Sequence, residues 1–198
     1  MPAPRLEPIA APSPELPRSD RLNLGCGRKL MPGAVNLDIN PGVGAEVVHD
    51  LELRPWPLPD DRFAEVFAYD VIEHCADFIA VMEEIHRICR DGAVVRITAP
   101  HFSSANAYID PTHRQRLSYQ SFDYVTGASE FSFYSTRRFR YRARQLIFTR
   151  GVLNRVVARL AKRWPARYEQ RWAWLFPAWF IYVELAVVKP PHHDGGEG

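Results

Sequence analysis

The sequence has few cysteines and no apolar stretch long enough to cross a membrane. Its three cysteines, Cys26, Cys75 and Cys89, show no paired spacing, which argues against a disulfide framework and against a zinc ribbon. The uncharged run at residues 172–183 is 12 residues long and contains Pro177, whereas a spanning helix needs about 20 residues. We therefore predict reduced thiols and no membrane span.

The two ends of the chain also lack apolar stretches. Residues 1–19 contain six prolines, so they cannot form a helix or fill a core, and we predict a disordered leader there. The apolar centre of a secretory signal is missing, so we expect a cytoplasmic protein. Residues 20–190 are predicted to form a single domain, and residues 191–198 a flexible tail.

Basic residues are concentrated in one segment. The net charge of the whole chain is +2, but residues 137–171 contain 12 basic residues and one acidic residue, which is net +11. Such a segment predicts contact with something anionic, or only a solvated face, and both interpretations stay open. The stretch that follows, residues 168–180, carries three of the five tryptophans. It resembles an interfacial membrane anchor, although burial of these aromatics over the sheet or around a substrate pocket is favoured.

Apolar strands alternate with helical patterns along the chain. Predicted strands cover residues 22–24, 35–39, 46–49, 63–69, 93–99, 139–148 and 181–189, and predicted helices cover residues 78–89, 119–125 and 152–160. The helix at 78–89 is predicted to stop at Asp91-Gly92. This alternation implies parallel strand pairing and right-handed crossovers. Residues 102–180 are predicted to form a substrate-side lid with basic and aromatic insertions over the open end of the sheet.

A glycine turn and an acidic residue mark the ends of the first two strands. Gly25-Cys26-Gly27 follows the first strand, and Asp38 ends the second. Glycine lets a ligand approach the backbone, and ligands bind at the carboxyl edge of an open parallel sheet. Asp38 can accept hydrogen bonds from both hydroxyls of a ribose there. Leu30 stands where a dinucleotide fingerprint has its third glycine. The pattern predicts a nucleoside ligand without a pyrophosphate cradle.

Five segments carry a family resemblance, and together they cover about residues 20–101. They are LNLGCG at 22–27, NLDI at 36–39, HDLE at 49–52, LPDDRFAEVFAYDVIEH at 58–74 and the Asp91-Gly92 turn before VVRITAPH. In this order and spacing they resemble the class I S-adenosylmethionine-dependent methyltransferases, most closely the small type 11 bacterial enzymes. The resemblance implies an α/β, Rossmann-like fold with a mostly parallel central sheet, helices on both faces and a carboxyl-terminal antiparallel strand. It also implies S-adenosylmethionine as the cofactor.

The resemblance further implies which residues bind that cofactor. They are Gly25, Cys26 and Gly27 along the methionine part, Asp38 at the ribose, Ile39 at the adenine face, Asp50 and Leu51 at the adenine edge, and Tyr69, Asp70 and His74 beneath the sulfonium. Two departures from the family pattern stand out. Lys29 replaces a third glycine, and the link from Gly27 to Val35 is too short for a crossover helix.

Candidate catalytic residues follow the strand that ends at Pro100. A hydroxyl acceptor must lose its proton, which calls for a general base or a metal ion that lowers the hydroxyl pKa. His101 and His113 are candidate bases, and Asp110 is a candidate orienting group. A metal site of two histidines and one carboxylate is the second interpretation, and hydrogen bonding within the lid is the third.

These observations predict an O-methyltransferase that acts on a small molecule or on a sugar hydroxyl of a glycan. Arg114 is expected to contact an anionic acceptor, whereas Glu73 and His74 are expected to shape the cofactor pocket rather than perform chemistry. Residues 151–180 are a candidate peripheral contact with the inner membrane surface. One alternative is an RNA methyltransferase, which the basic segment favours although no recognisable RNA-binding module accompanies it. The other is a cofactor-binding or membrane-associated accessory module without catalysis.

Overall fold

The computed structural model describes residues 16–130 and 132–190. Most of the predicted leader and the whole predicted tail lie outside the described residues. Residues 16–19, which were assigned to the leader, contact the domain: Leu16 packs against the core, and the Ser19 hydroxyl donates to the carbonyl of Gly33 at 2.7 Å. Within the described part of the chain, no helix combines the length and the apolarity that a membrane crossing demands.

Seven strands form one sheet in the order β3-β2-β1-β4-β5-β7-β6. Their bounds are β1 Arg21–Leu24, β2 Val35–Asp38, β3 Val47–Val48, β4 Phe63–Tyr69, β5 Cys89–Pro100, β6 Arg138–Ile147 and β7 Phe180–Val188. The first five strands pair in parallel, whereas β7 lies antiparallel between β5 and β6. This topology confirms the predicted α/β fold with its antiparallel carboxyl-terminal strand.

The first long helix forms where its apolar spacing predicts. The helices are α1 Phe78–Ile88, α2 Asn106–Ile109, α3 Asp123–Thr126, α4 Val152–Arg163 and α5 Pro165–Arg171. The Asp77 carboxylate caps α1 by accepting from the amide of Ala80 at 2.9 Å. The predicted stop of α1 is wrong: the helix ends at Ile88, and Gly92 lies inside β5 with φ +73°. The chain turns directly into the strand because Cys89 already has extended backbone angles.

Turns alone join β1 to β2, as the short link predicted. One turn is closed by the Lys29 amide donating to the Cys26 carbonyl at 2.9 Å, and another by the Ala34 amide donating to the Met31 carbonyl at 3.1 Å. The buried Asn23 side chain donates to the Lys29 carbonyl at 3.0 Å and so ties this loop to the sheet. The carboxyl edge of the sheet is therefore left uncovered on this side.

The carboxyl-terminal layer (residues 150–180) has a small core of its own. That core consists of Val157, Ala161, Tyr168, Ala173 and Ala178. Outside it, the exposed fractions of Trp172, Trp174 and Trp179 are 52%, 69% and 44%. The favoured sequence interpretation had these tryptophans buried over the sheet or lining a substrate pocket. The structure leaves much of their surface exposed, and Trp172 lines an apolar groove along α4 and α5.

Candidate functional site

A cleft of about 400 Å³ opens at the carboxyl edge of β1, β2 and β4. Its volume lies within the range of about 300–1,000 Å³ that is usual for small-ligand pockets. The lining residues are Gly25, Leu37, Asp38, Ile39, His49, Asp50, Leu51, Glu52, Asp70, Val71, His74, Cys75 and Arg114. Seven of the ten predicted cofactor-binding residues belong to this lining: Gly25, Asp38, Ile39, Asp50, Leu51, Asp70 and His74.

Gly25 permits close packing at the floor of the cleft. Its φ is +61°, and a Cβ atom built on it would stand 2.2 Å from Cγ2 of Val71. The turn after β4 can therefore approach the turn after β1 only because residue 25 has no side chain. Gly27 also has a positive φ, +49°, but a Cβ atom there would meet nothing within 4 Å.

Asp38 organises the glycine turn and keeps acceptor capacity for a ligand. Its Oδ2 accepts from the Gly27 amide at 2.7 Å, and its Oδ1 accepts from the Asn40 amide at 2.9 Å. A carboxylate offers about four acceptor positions, so about two remain for outside donors. A ribose has two neighbouring hydroxyl donors, and this part of the cleft therefore fits a nucleoside.

The next part of the cleft offers an apolar face beside a carboxylate. Ile39 is 63% exposed and lines the cleft, so an aromatic base can stack on it. Asp50 uses Oδ1 to accept from the Glu52 amide at 2.9 Å, and the same carboxylate can accept from an exocyclic amine. Together with Asp38, these residues fit the adenosine portion of S-adenosylmethionine.

Glu73, His74 and His113, here called the Glu73 cluster, lie together beside the cleft, and His74 is the one of the three that lines it. One ligand-type atom from each residue lies within 4.8 Å of the others, and the two imidazole centroids are 4.6 Å apart. The Glu73 carbonyl accepts from the amides of Arg114 and Gln115 at 2.7 and 2.9 Å. These two bonds hold the loop that carries His113 against the turn that carries Glu73 and His74.

The Glu73 carboxyl group is enclosed without a partner. It is 2% exposed, and neither oxygen forms a hydrogen bond to another of the described residues. Burial raises the pKa of Glu73 to about 7, and the charges of Asp70 and Asp110 raise it as well. Burying an ionised carboxylate without compensation costs on the order of several kcal/mol. This group is therefore suited to take up a proton or to meet a cation.

A hydrogen-bonded chain orients His74. Its Nδ1 lies 2.9 Å from the Thr112 hydroxyl oxygen, and that hydroxyl donates to Oδ1 of Asp110 at 2.6 Å. Burial and the neighbouring His113 lower the pKa of His74. Hydrogen bonds from the Thr112 hydroxyl and amide lower the pKa of Asp110. Asp110 therefore acts on the cluster through Thr112, and its carboxylate stays ionised.

Three predicted cofactor residues are not among the described residues that line the cleft. Cys26 is buried under the glycine turn, and burial together with Asp38 raises the pKa of its thiol, which indicates packing rather than reactivity. Gly27 contributes its amide to Asp38 rather than to the cleft surface. Tyr69 packs its ring 5.9 Å from that of Phe67.

His101 lies apart from the cleft. It is 0% exposed, its Nδ1 is 2.7 Å from the Ser103 hydroxyl, and its Nε2 is 2.9 Å from Oε1 of Glu169 in α5. The same Glu169 oxygen accepts from the Tyr119 amide at 2.6 Å. Both imidazole nitrogens are thus engaged in fixing the carboxyl-terminal layer to the end of β5.

Sequence reasoning did not predict that the Glu73 carboxyl group is buried. It placed Glu73 at the pocket, but no feature of the sequence VIEH at residues 71–74 indicates that the carboxyl group points into the protein. The usable signal was an acidic residue directly before a histidine, in a turn after a buried strand. His49, Glu52 and Val71 also line the cleft and carried no motif signal.

Part of the chain matches a family model in sequence, and the whole domain is similar in fold to solved structures. A family model described as a methyltransferase domain matches residues 22–97. No curated protein matches the chain. Similar solved structures include a SAM-dependent methyltransferase from Archaeoglobus fulgidus, at 16% identity and TM-score 0.52, covering 84% of this chain and 85% of that chain. The YcgJ protein from Bacillus subtilis is similar at 12% identity and TM-score 0.55, covering 89% and 95%. The cyclase SpnF is similar at 15% identity and TM-score 0.53, covering 86% and 74%.

Proposed function

We propose that the chain is a class I S-adenosylmethionine-dependent methyltransferase whose acceptor is a hydroxyl group of a small molecule or of a sugar in a glycan. The observation that carries this proposal is the Glu73 cluster beside the cleft. A hydroxyl acceptor must give up its proton during transfer, whereas a neutral amine already carries a nucleophilic lone pair. A carboxylate with two imidazoles is a set that can take or shift that proton.

Different residues would bind the cofactor and accept the proton of the acceptor. When bound, S-adenosylmethionine supplies a methyl group on a sulfonium, so the new carbon–oxygen bond forms as the carbon–sulfur bond breaks and sulfur leaves as a neutral thioether. We propose that Asp38 holds the ribose and that Ile39 and Asp50 hold the adenine. The Glu73 cluster receives or displaces the acceptor proton, in place of His101, whose two nitrogens are already bonded.

Arg114 supports an acceptor that carries negative charge. Its side chain lines the cleft, and no carboxylate in the part of the chain that the structure describes forms an ion pair with it. The adjacent backbone is fixed by the bond from the Arg114 amide to the Glu73 carbonyl. A phosphate or carboxylate on the acceptor would meet this guanidinium and bring its hydroxyl beside the cluster.

We further infer that the carboxyl-terminal layer rests on an anionic membrane surface from the cytoplasmic side. An apolar groove of about 420 Å³ runs along α4 and α5 and includes Leu153, Leu160 and Trp172. Arg167 lines this groove, whereas Arg159 and Lys162 line a separate cavity against β6 and Arg155 lines another. None of these four cations forms an ion pair with a described residue. Apolar and cationic side chains on one helical layer are typical of interfacial binding.

The arginines of β6 favour this inference over RNA binding. Arg144 stacks on Tyr119 and Tyr141, at 3.9 and 4.2 Å from the ring centroids, and pairs with Asp123 at 2.7 Å. Arg142 pairs with Glu184 at 3.3 Å. Aromatic and arginine groups that would stack on bases are thus used within the protein.

Product isolation tests the acceptor class. Fractions of cell extract are incubated with the protein and with methyl-labelled S-adenosylmethionine, and the labelled product is isolated. We expect label in a small-molecule or glycan fraction, as an ether that resists mild base. Label in RNA, on nitrogen, or in a base-labile ester would contradict the proposal. Glu73→Gln and His113→Gln should lose labelling while keeping cofactor affinity, and Asp38→Ala should lose both.

Vesicle sedimentation tests the membrane inference. The full chain should bind phosphatidylglycerol vesicles and dissociate from them as the salt concentration is raised. It should not bind vesicles made of phosphatidylcholine alone. Leu160→Ser should weaken this binding, whereas the matched control Leu53→Ser, at an exposed leucine outside the layer, should not. Equal weakening by both variants, or a gel shift with RNA in place of vesicle binding, would refute it.

A further inference from the structure

We propose that Glu73, His74 and His113 bind a divalent transition-metal cation beside the cleft. The proposed role of this cation in activating the acceptor hydroxyl rests on the proposed function, but its binding does not. The three residues come from two segments, the turn after β4 and the loop after α2, and the bonds from the Arg114 and Gln115 amides to the Glu73 carbonyl hold these segments together.

The separations suit a shared cation after a small movement. One ligand-type atom from each residue lies within 4.8 Å of the others. Donors at about 2.1 Å from one tetrahedral ion stand about 3.4 Å apart, so no separation must shorten by more than about 1.4 Å. Side-chain rotation can supply this. Among the described residues, neither oxygen of Glu73 nor Nδ1 of His113 has a hydrogen bond that such a rotation would break.

Hydrogen bonding also prepares the His74 ring as a ligand. The Thr112 hydroxyl has one hydrogen and gives it to Asp110 at 2.6 Å, so its oxygen accepts from Nδ1–H of His74 at 2.9 Å. This network assigns the proton to Nδ1 and leaves the lone pair on Nε2. Ligating histidines are usually fixed through their second nitrogen in this way.

The donor set indicates the kind of ion. Two imidazoles and one carboxylate suit zinc, cobalt and related first-row ions better than magnesium or calcium, which prefer all-oxygen sites. Three protein ligands leave at least one open position. An acceptor hydroxyl in that position would have its pKa lowered by the cation, so that its proton passes to water and its oxygen is left as the nucleophile.

Direct metal binding tests the site without cofactor or acceptor. The full chain, stripped with EDTA, is titrated with Co²⁺ and followed by visible absorption and calorimetry, and Zn²⁺ is then added as a competitor. His192 and His193 stand beside Asp194 in the tail, so every protein tested carries His192→Gln and His193→Gln. Thermal melting verifies that each variant is folded.

We expect one Co²⁺ per chain, displaced by Zn²⁺. Glu73→Gln and His113→Gln should each weaken binding by more than the 10- to 100-fold that changes around a ligand shell cost, and Thr112→Val should fall within that range. The control His49→Gln, at a cleft histidine outside the cluster, should bind Co²⁺ as before. Binding that is absent, or equal in Glu73→Gln, overturns the inference. Labelling that persists in EDTA would then leave the proposed function standing with the cluster as a general base.

Discussion

The carboxyl edge of the sheet and the carboxyl-terminal layer differ in the kind of side chain that they bury and expose. At the edge, polar side chains are buried and bonded: Asp38 accepts two backbone amides, and Asn23 donates to Asn36 at 2.8 Å. In the layer, apolar side chains are exposed, with Val152 at 72% and Leu175 at 66%. The first region forms a cleft of the size of a small ligand, whereas the second presents an exposed apolar surface suited to a larger partner.

This difference indicates that specificity for a small ligand depends mainly on the residues of the cleft. The cleft is built from backbone turns and short side chains, so a change of one atom there alters the space that a ligand would occupy. The layer is built from helices that share a small core, so its outer residues can change with little effect on folding. Substitutions that separate folding from binding therefore test the comparison directly.

The largest effect is expected at the floor of the cleft. Gly25→Ala places a methyl group 2.2 Å from Cγ2 of Val71 and forces alanine into φ +61°. Left-handed strain of about 1–2 kcal/mol and overpacking of about 1–3 kcal/mol together predict a loss of about 2–5 kcal/mol in the free energy of unfolding. Denaturant unfolding measures it. Gly27→Ala is the matched control, because its new methyl meets nothing and only the strain applies; equal losses in both would show that Val71 does not constrain the turn.

A somewhat smaller effect is expected on cofactor affinity. Asp38→Ala removes two acceptors offered to the ribose and frees the amides of Gly27 and Asn40. Hydrogen bonds to a charged group contribute about 1.5–3 kcal/mol each, so two of them predict at least about a 100-fold weaker cofactor affinity by calorimetry. Asp91→Ala is the control, since that carboxylate accepts from the Lys189 amide far from the cleft. Unchanged affinity in Asp38→Ala would remove the ribose assignment.

The meeting of Gly25 and Asp38 at the carboxyl edge of the sheet could be predicted from the sequence, whereas the Glu73 cluster could not. Parallel strands place their carboxyl ends together, so Gly25 and Asp38 had to meet once the strands were recognised. The meeting of Glu73 with His113 depends on amides of a non-repeating loop bonding to one carbonyl, which no periodicity encodes. His101 follows a strand as well, but α5 covers it with Glu169, and no motif or spacing in the chain indicates that contact.

A third prediction concerns the contact between α1 and the antiparallel strands β6 and β7. His86 of α1 is 1% exposed, with its ring 5.5 Å from Phe139 of β6 and its Nε2 3.0 Å from the Val188 carbonyl. Burial lowers the pKa of His86, and the charges of Lys189 and Arg137 lower it further, whereas the hydrogen bond to the Val188 carbonyl and the charge of Asp61 act in the opposite direction without cancelling the effect of burial. The unfolded chain therefore binds a proton at a higher pH than the folded chain does.

It follows that the free energy of unfolding decreases as the pH falls below about 6.5, the usual pKa of histidine in an unfolded chain. The decrease levels off once the pH is below the pKa of His86 in the folded chain. Because the unfolded chain gains the proton first, we expect the free energy of unfolding to fall between pH 7 and pH 5, and to fall more in the wild type than in a variant without His86. Denaturant unfolding of the wild type and of His86→Gln across this range isolates the contribution. Identical pH slopes in the two proteins would contradict it.

The smallest effect is expected on the outer surface of the layer. Leu175 is 66% exposed, and its amide bonds only to the Trp172 carbonyl of the same turn at 3.0 Å, so Leu175→Ala removes little packing. Exposed substitutions of this kind change the free energy of unfolding by less than about 0.5 kcal/mol. The same variant should bind phosphatidylglycerol vesicles more weakly, because the leucine would leave water only at the membrane. If Leu175→Ala clearly lowered the free energy of unfolding but left vesicle binding unchanged, Leu175 would belong to the folded core. The layer would then not differ from the carboxyl edge in the way described above.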